Sequence, residues 1–160
     1  MQIETVPIGI PENANVIIGH AHFIKTAEDL YEVMVNTVPG VKFGLAFNEA
    51  SGPCLVRVEA NDEELRGAAV AAAQAIGAGH TFVIFLRQAY PINVLSRIKE
   101  CFEVCSIHCA TANSVEVIVA QGKSGRGVLG VIDGASPKGV EGPADAQHRK
   151  EFLRKIGYKL

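Results

Sequence analysis

The sequence predicts an α/β (α+β) fold: one domain over residues 1–160, with a mixed β-sheet and about four helices packed on it. Three observations carry that prediction. Apolar runs of strand length are interleaved with segments of helical periodicity. Several strand-like runs follow one another directly, which favours a mixed sheet over a strictly alternating parallel one. No repeat, low-complexity tract or interdomain linker divides the chain, and its 160 residues, 48% hydrophobic, suffice for one substantial core.

The elements follow in order. Gln2 to Ile10 and Asn15 to Phe23 read as strands. A helix begins at Thr26, where Thr26 and Asp29 form a capping arrangement. Leu30, Val33, Met34 and Thr37 share one face, and Pro39-Gly40 ends it. Strands are expected at Val41 to Phe47 and Cys54 to Glu59. Asn61 followed by Glu64 repeats the capping device before a stripe of Leu65, Ala68, Ala69, Ala72, Ala73 and Ile76. Most of that stripe is methyl groups, which let a helix lie close on a sheet. The next strand, His80 to Arg87, is apolar without alternation from 81 to 86, as expected of a central strand covered on both faces. Pro91 suits the first turn of a third helix that ends near Val104, with Leu95, Ile98 and Phe102 inward. Cys105 to Ala110, Val115 to Ala120 and Val128 to Ile132 complete the strands, the last two joined by a hairpin loop at Gln121 to Gly127. After the long loop Asp133 to Gly142, a fourth helix spans Pro143 to Ile156, and its basic end complements the helix dipole.

Composition narrows the function. A net charge of −2 gives no basic footprint for nucleic acid and no anchor for anionic membranes. No uninterrupted apolar span reaches transmembrane length, and Met1 to Pro7 lacks the regions of a signal peptide, so a cytoplasmic protein is expected. Four cysteines in a chain of this length do not make a disulfide framework. A charged fraction of 20% with mean hydropathy +0.20 fits a homo-oligomer that hides apolar surface, or a densely packed monomer.

The most informative stretch is Gly77-Ala78-Gly79-His80, run straight into Thr81 to Leu86. Glycines stop the alanine-rich helix and allow close approach to the main chain. His80 then stands at the rim of the sheet, where imidazole can act as nucleophile or proton carrier, or simply satisfy a turn carbonyl. Loops at other strand ends carry further polar groups: Glu49 and Ser51 in one, Thr111 and Asn113 in another, and Tyr90 and Asn93 after Arg87. These are expected to converge on one sheet edge.

Other patterns fail on chemistry. Gly122-Lys123-Ser124 lacks the glycine of a phosphate-binding loop, since Val117 stands in its place, and no helix follows. Cys101, Cys105, Cys109 and His108 would not share one face and have poor zinc spacing. His20 and His22 point the same way on a strand, but no third ligand is evident, so no metal site is assigned.

Taken together, Gly19 to Lys25, Pro39 to Gly52, Ile76 to His80, Tyr90 to Val94, Cys109 to Val119, Gly127 to Gly134 and Glu151 to Tyr158 resemble the adenosine-specific kinase family, small proteins of archaea and bacteria. The blocks agree in order and spacing over nearly the whole chain. Departures fall mainly at surface positions, at Cys101 and at His20. The resemblance implies an α/β protein, trimeric, that binds adenosine or AMP and carries a phosphorylated histidine. That histidine maps onto His80, with His22 as the fallback. It further implies magnesium carried with an ATP-type nucleotide rather than a tightly bound structural metal.

The chemistry of the residues fits around that expectation. A nucleophilic imidazole needs an acceptor for its second nitrogen, and Glu49 is the candidate, or a magnesium ligand. Lys42, Arg87 and Arg126 are the cations expected near the phosphates. The Gly79 and His80 amides are further donors to them. Asn93, Thr111 and Asn113 suit hydrogen bonds to ribose or adenine, with Tyr90 as a stacking surface. The expected function is a phosphotransferase acting through phosphohistidine; the alternative is a non-catalytic adenine-nucleotide-binding or sensor module.

Overall fold

A computed structural model describes residues 1–160. The elements are β1 (Gln2–Ile8), β2 (Asn15–Ala21), α1 (Thr26–Thr37), β3 (Lys42–Asn48), β4 (Val56–Ala60), α2 (Glu63–Ile76), β5 (Thr81–Arg87), α3 (Pro91–Glu100), β6 (Val104–Thr111), β7 (Val115–Gln121), β8 (Arg126–Asp133) and α4 (Pro143–Lys155). Thr81 to Leu86 are all buried, so β5 is the central strand that its unbroken apolar run required. It lies in a five-stranded sheet of order β4-β3-β5-β2-β6.

Alternate side chains of this sheet feed two cores. Ile17, Phe43, Leu45, Phe47, Phe82, Ile84 and Leu86 meet Leu30 and Met34 of α1 and Val94 and Ile98 of α3. Val16, Ile18, Ala46, Val83 and Phe85 meet the alanine stripe of α2 and Val115, Val117 and Val119 of β7. Each fully buried large side chain contributes about 1.5–3 kcal/mol. The alanine stripe allows very close packing: a Cβ at Gly44 would lie 2.2 Å from the Leu65 main chain of α2.

The architecture is α+β, but the single mixed sheet expected is divided in two. β1, β7 and β8 form a separate sheet of order β1-β7-β8, and every pairing within both sheets is antiparallel. The one parallel link is the isolated bridge between Ala78 and Arg126. The reason lies in β7, where Val115, Val117 and Val119 are buried while Glu116 is exposed. A strand with one apolar face packs across a sheet rather than extending it.

Local differences have equally local causes. At α1 the Thr26 hydroxyl donates to the Phe23 carbonyl instead of capping the helix. Asp62, not Asn61, caps α2 by accepting from Leu65 N at 3.0 Å. Asn61 instead bridges Phe43 N and Val41 O, at 2.9 and 2.8 Å. Cys101 leaves the helical conformation, so α3 stops at Glu100 and Phe102, expected inward, is 97% exposed. α4 forms where expected yet buries none of its residues.

Candidate functional site

His80 is set by its backbone. Gly77 ends α2 with φ +60, and its N–H donates to Ala73 O. Three residues on, His80 itself has φ +62, in the left-handed region that costs a residue with a Cβ about 1–2 kcal/mol. Surrounding bonds hold it there. His80 N donates to Asn48 O at 2.6 Å, and its carbonyl accepts from Ala21 N at 2.9 Å. Asn48 is fixed in turn, its buried amide donating to Ala73 O and Ala78 O at 2.9 and 3.0 Å. A side chain at residue 79 would meet Ala50 Cβ at 2.8 Å, so glycine is needed for this approach.

The His80 ring is half-buried, stacked on Phe47 with centroids 5.9 Å apart and planes 10° apart. The His20 ring meets it edge-on at 6.0 Å. Burial, and then the charge of His80, lower the proton affinity of His20 below the ordinary imidazole range. Burial and then His20 do the same to His108. A cavity of about 450 Å³, a size suited to a small organic ligand, is lined by Asn48, Glu49, Ala50, Gly77, Gly79 and Arg126, so it reaches the chain neighbours of Phe47 and His80 rather than the rings themselves. The Glu49 Oε2 atom accepts from Leu55 N at 3.1 Å and from Arg57 Nη2 at 2.9 Å. Arg126 is held by Gln121, the Ala75 carbonyl and Glu4.

The sequence-predicted residues fall into two groups rather than converging on one edge. Gly79, His80, Glu49 and exposed Ser51 lie at one end of the main sheet, and Arg126 reaches that end from the small sheet. Lys42 pairs with Arg87 in the ladder at the other end, a strand length of about 20 Å away. There Arg87 makes two bonds to Glu64, at 2.7 and 3.0 Å, and one to Glu12 O at 3.0 Å. Asn93 Oδ1 accepts from Tyr90 N at 2.8 Å and so starts α3. Thr111 and Asn113 both donate to Asp133 Oδ1, at 2.8 and 3.0 Å. Tyr90 and Asn113 line a separate cleft of about 640 Å³. The larger cleft is at the wrong end for His80, and side-chain satisfaction separates the two ends better than volume does.

His22, the fallback, is exposed and stacked on Phe23. No group of three or more His, Cys, Asp or Glu side chains is arranged to hold a metal ion. All four cysteines are free, and no helix is long and apolar enough to cross a membrane. Phe47, Asn48 and Arg57 join the site without having been singled out. Phe47 and Asn48 sit in the blocks around Glu49, but only the β3–β5 ladder, with Phe47 opposite Phe82, shows that they flank His80.

Comparison with known proteins bears on this geometry. The model of the family described as adenosine specific kinase matches residues 6–159 in one stretch. The chain belongs to the adenosine-specific kinase family. Among solved structures it is similar to the PH1918 protein of Pyrococcus horikoshii OT3, at 46% identity and a TM-score of 0.96, covering 99% of this chain and 98% of that one. Comparison with curated proteins returns no match. Family membership covers every element of the site, from β2 through the Arg126 hairpin.

Proposed function

We propose that this member of the adenosine-specific kinase family is a phosphotransferase in which His80 accepts a phosphoryl group from a magnesium-bound adenine nucleotide, the pocket beside it taking adenosine or AMP. The observation that carries the reading is His80 itself: a half-buried imidazole held in a strained left-handed conformation, next in the chain to Gly79, which lines a cavity. Strain of this kind persists only where the surroundings over-determine it, and it clusters at functional sites.

In the forward step the neutral ring nitrogen of His80 bonds to the terminal phosphorus as the bond to the bridging oxygen breaks. The electron pair leaves on the nucleoside diphosphate. Transfer onward to a hydroxyl reverses that bond change, and the hydroxyl proton passes to solvent. Little covalent work falls to the protein beyond positioning and charge neutralisation. Phe47 and His20 orient the ring, Arg126 and the main chain at Gly79 offer donors, and Glu49 faces the same cavity. Magnesium commonly binds through one or two carboxylates and the substrate phosphates. A single Glu49, with no all-protein cluster nearby, fits an ion that arrives on the nucleotide. Once bound, magnesium would neutralise phosphate charge.

Free thiols and a nucleotide donor fit a reducing, cytoplasmic setting. Association of copies into a homo-oligomer, a trimer on the resemblance, fits the uncovered α4 and exposed Phe102, Leu129, Phe152 and Ile156.

The test is incubation with γ-labelled ATP and magnesium. Label that is lost in mild acid, survives base and is absent from His80→Asn supports the reading. Acid-stable label, or label that persists in His80→Asn, overturns it. Binding of AMP without any labelling favours the non-catalytic adenine-nucleotide module.

A further inference from the structure

Beside His80 lies a group of polar side chains to which the phosphoryl step gives no contact with the phosphate. His20 and Thr81 are direct partners in the β2–β5 ladder, so their side chains share one face with Cβ atoms about 5 Å apart. On its other side His20 pairs with Ser106 of β6. The register there shifts between the pairs Ile18–Cys109 and Gly19–Ile107, leaving His108 unpaired in a bulge. Bulges re-aim side chains, and this one places His108 opposite the Ile18–Gly19 step of β2, next to His20 in the chain. Thr81 is 0% exposed, yet its hydroxyl has no hydrogen-bond partner, and neither does the buried Nε2 of His108. Unsatisfied buried polar groups are rare in native proteins and call for a specific explanation.

We propose that His20, Thr81 and His108 complete a subsite for a tetrahedral dianion beside His80, and that His20 becomes a cation only when the anion arrives. The inference rests on the reading of His80 as the phosphoryl-bearing residue. The titratable groups that face His20 are His80 from the turn before β5 and His108 from β6, with the Thr81 and Ser106 hydroxyls alongside. No carboxylate offsets the burial of either His20 or His108. Without an anion, burial therefore favours the neutral form of His20 and of His108. A dianion reverses the balance, because its charge favours imidazolium and draws one proton from water. His20 then becomes a charged donor at the moment a donor is needed.

Sulfate is the probe, since it stays a dianion from mildly acidic to mildly basic pH and any proton taken up belongs to the protein. Calorimetry on the intact protein in buffers of different ionisation heat should show about one proton bound per sulfate near neutral pH. Affinity should weaken by up to about tenfold per pH unit above neutrality. His20→Asn should take up less than half as much and lose most of the pH dependence. Imidazole NMR of the unmutated protein should show the His20 signal moving to its protonated position as sulfate is added, a result independent of how the variant folds. The proposal is overturned if sulfate does not bind, if uptake is unchanged in His20→Asn, or if the proton appears on His80. No nucleotide enters this experiment. Labelling of His80 without sulfate linkage overturns the subsite alone, and linkage without labelling overturns the phosphoryl reading alone.

Discussion

The two ends of the main sheet are built from similar residues and do opposite things with them. At the Arg87 end the polar side chains are committed: Arg87 to Glu64, Asn93 to the start of α3, Thr111 and Asn113 to Asp133. At the His80 end Asn48, Glu49 and Arg126 are bonded too, but other polar groups are left over: a strained histidine, a buried threonine hydroxyl without a partner, and a bulged imidazole with a free nitrogen. Both ends carry a residue with positive φ, since Gln88 has φ +61. Gln88, however, is an exposed turn residue, whereas His80 is pinned by the bond its N–H donates to Asn48 O and the one its carbonyl accepts from Ala21 N. A polar residue on a strand-end loop is a weak sign of function; one that the fold holds in place but leaves unsatisfied is a stronger one.

The most severe way to break the His80 end is Gly19→Ala. Its Cβ would lie 2.3 Å from the Phe82 ring and 2.7 Å from the Ser106 carbonyl, and backbone cannot yield cheaply. A loss of about 3 kcal/mol in denaturant unfolding is expected. Next comes the strain itself. His80→Gly should be about 1 kcal/mol more stable than His80→Ala, and Gln88→Gly should exceed Gln88→Ala by a similar margin. Only the changes at residue 80 should abolish phosphohistidine labelling; equal labelling of both glycine variants would erase the distinction between the ends. The smallest effect belongs to Glu64→Gln, which removes the charge that Arg87 engages at the sheet's far end. Exposed ion pairs contribute little, so the thermal midpoint should move by no more than about 2 °C and labelling should be unchanged.

Much of the fold was legible in the sequence because it is written in local patterns. The unbroken apolar run at 81–86 announced a central strand, the alanine stripe announced a closely packed helix, and Pro91 marked the start of α3. Misplaced caps and the overlong α3 reflect competition among neighbouring candidates. Asn61 and Asp62 both suit a cap, and only the position of the Phe43 main chain decides which one serves. The site was legible at Gly79 and His80, where a helix stop, a turn and a strand coincide. It was not legible at His20 and His108, which stand 60 and 28 positions from His80 in the sequence; ladder register brings the first against His80 and a bulge sets the second on the strand beyond.

The sequence by itself determined which segments are strands and helices, that the chain has no basic footprint, and, through long matching blocks, its family. Hydrophobic period and turn chemistry are properties of near neighbours, so they survive in one dimension. Tertiary structure alone decided that the strands form two antiparallel sheets, that the polar loops separate to opposite ends, and that the His20 and His80 rings meet at one of them with a bulged His108 on the neighbouring strand. Those outcomes depend on which strand lies beside which and in what register. A shift of one residue there sends every side chain to the other face.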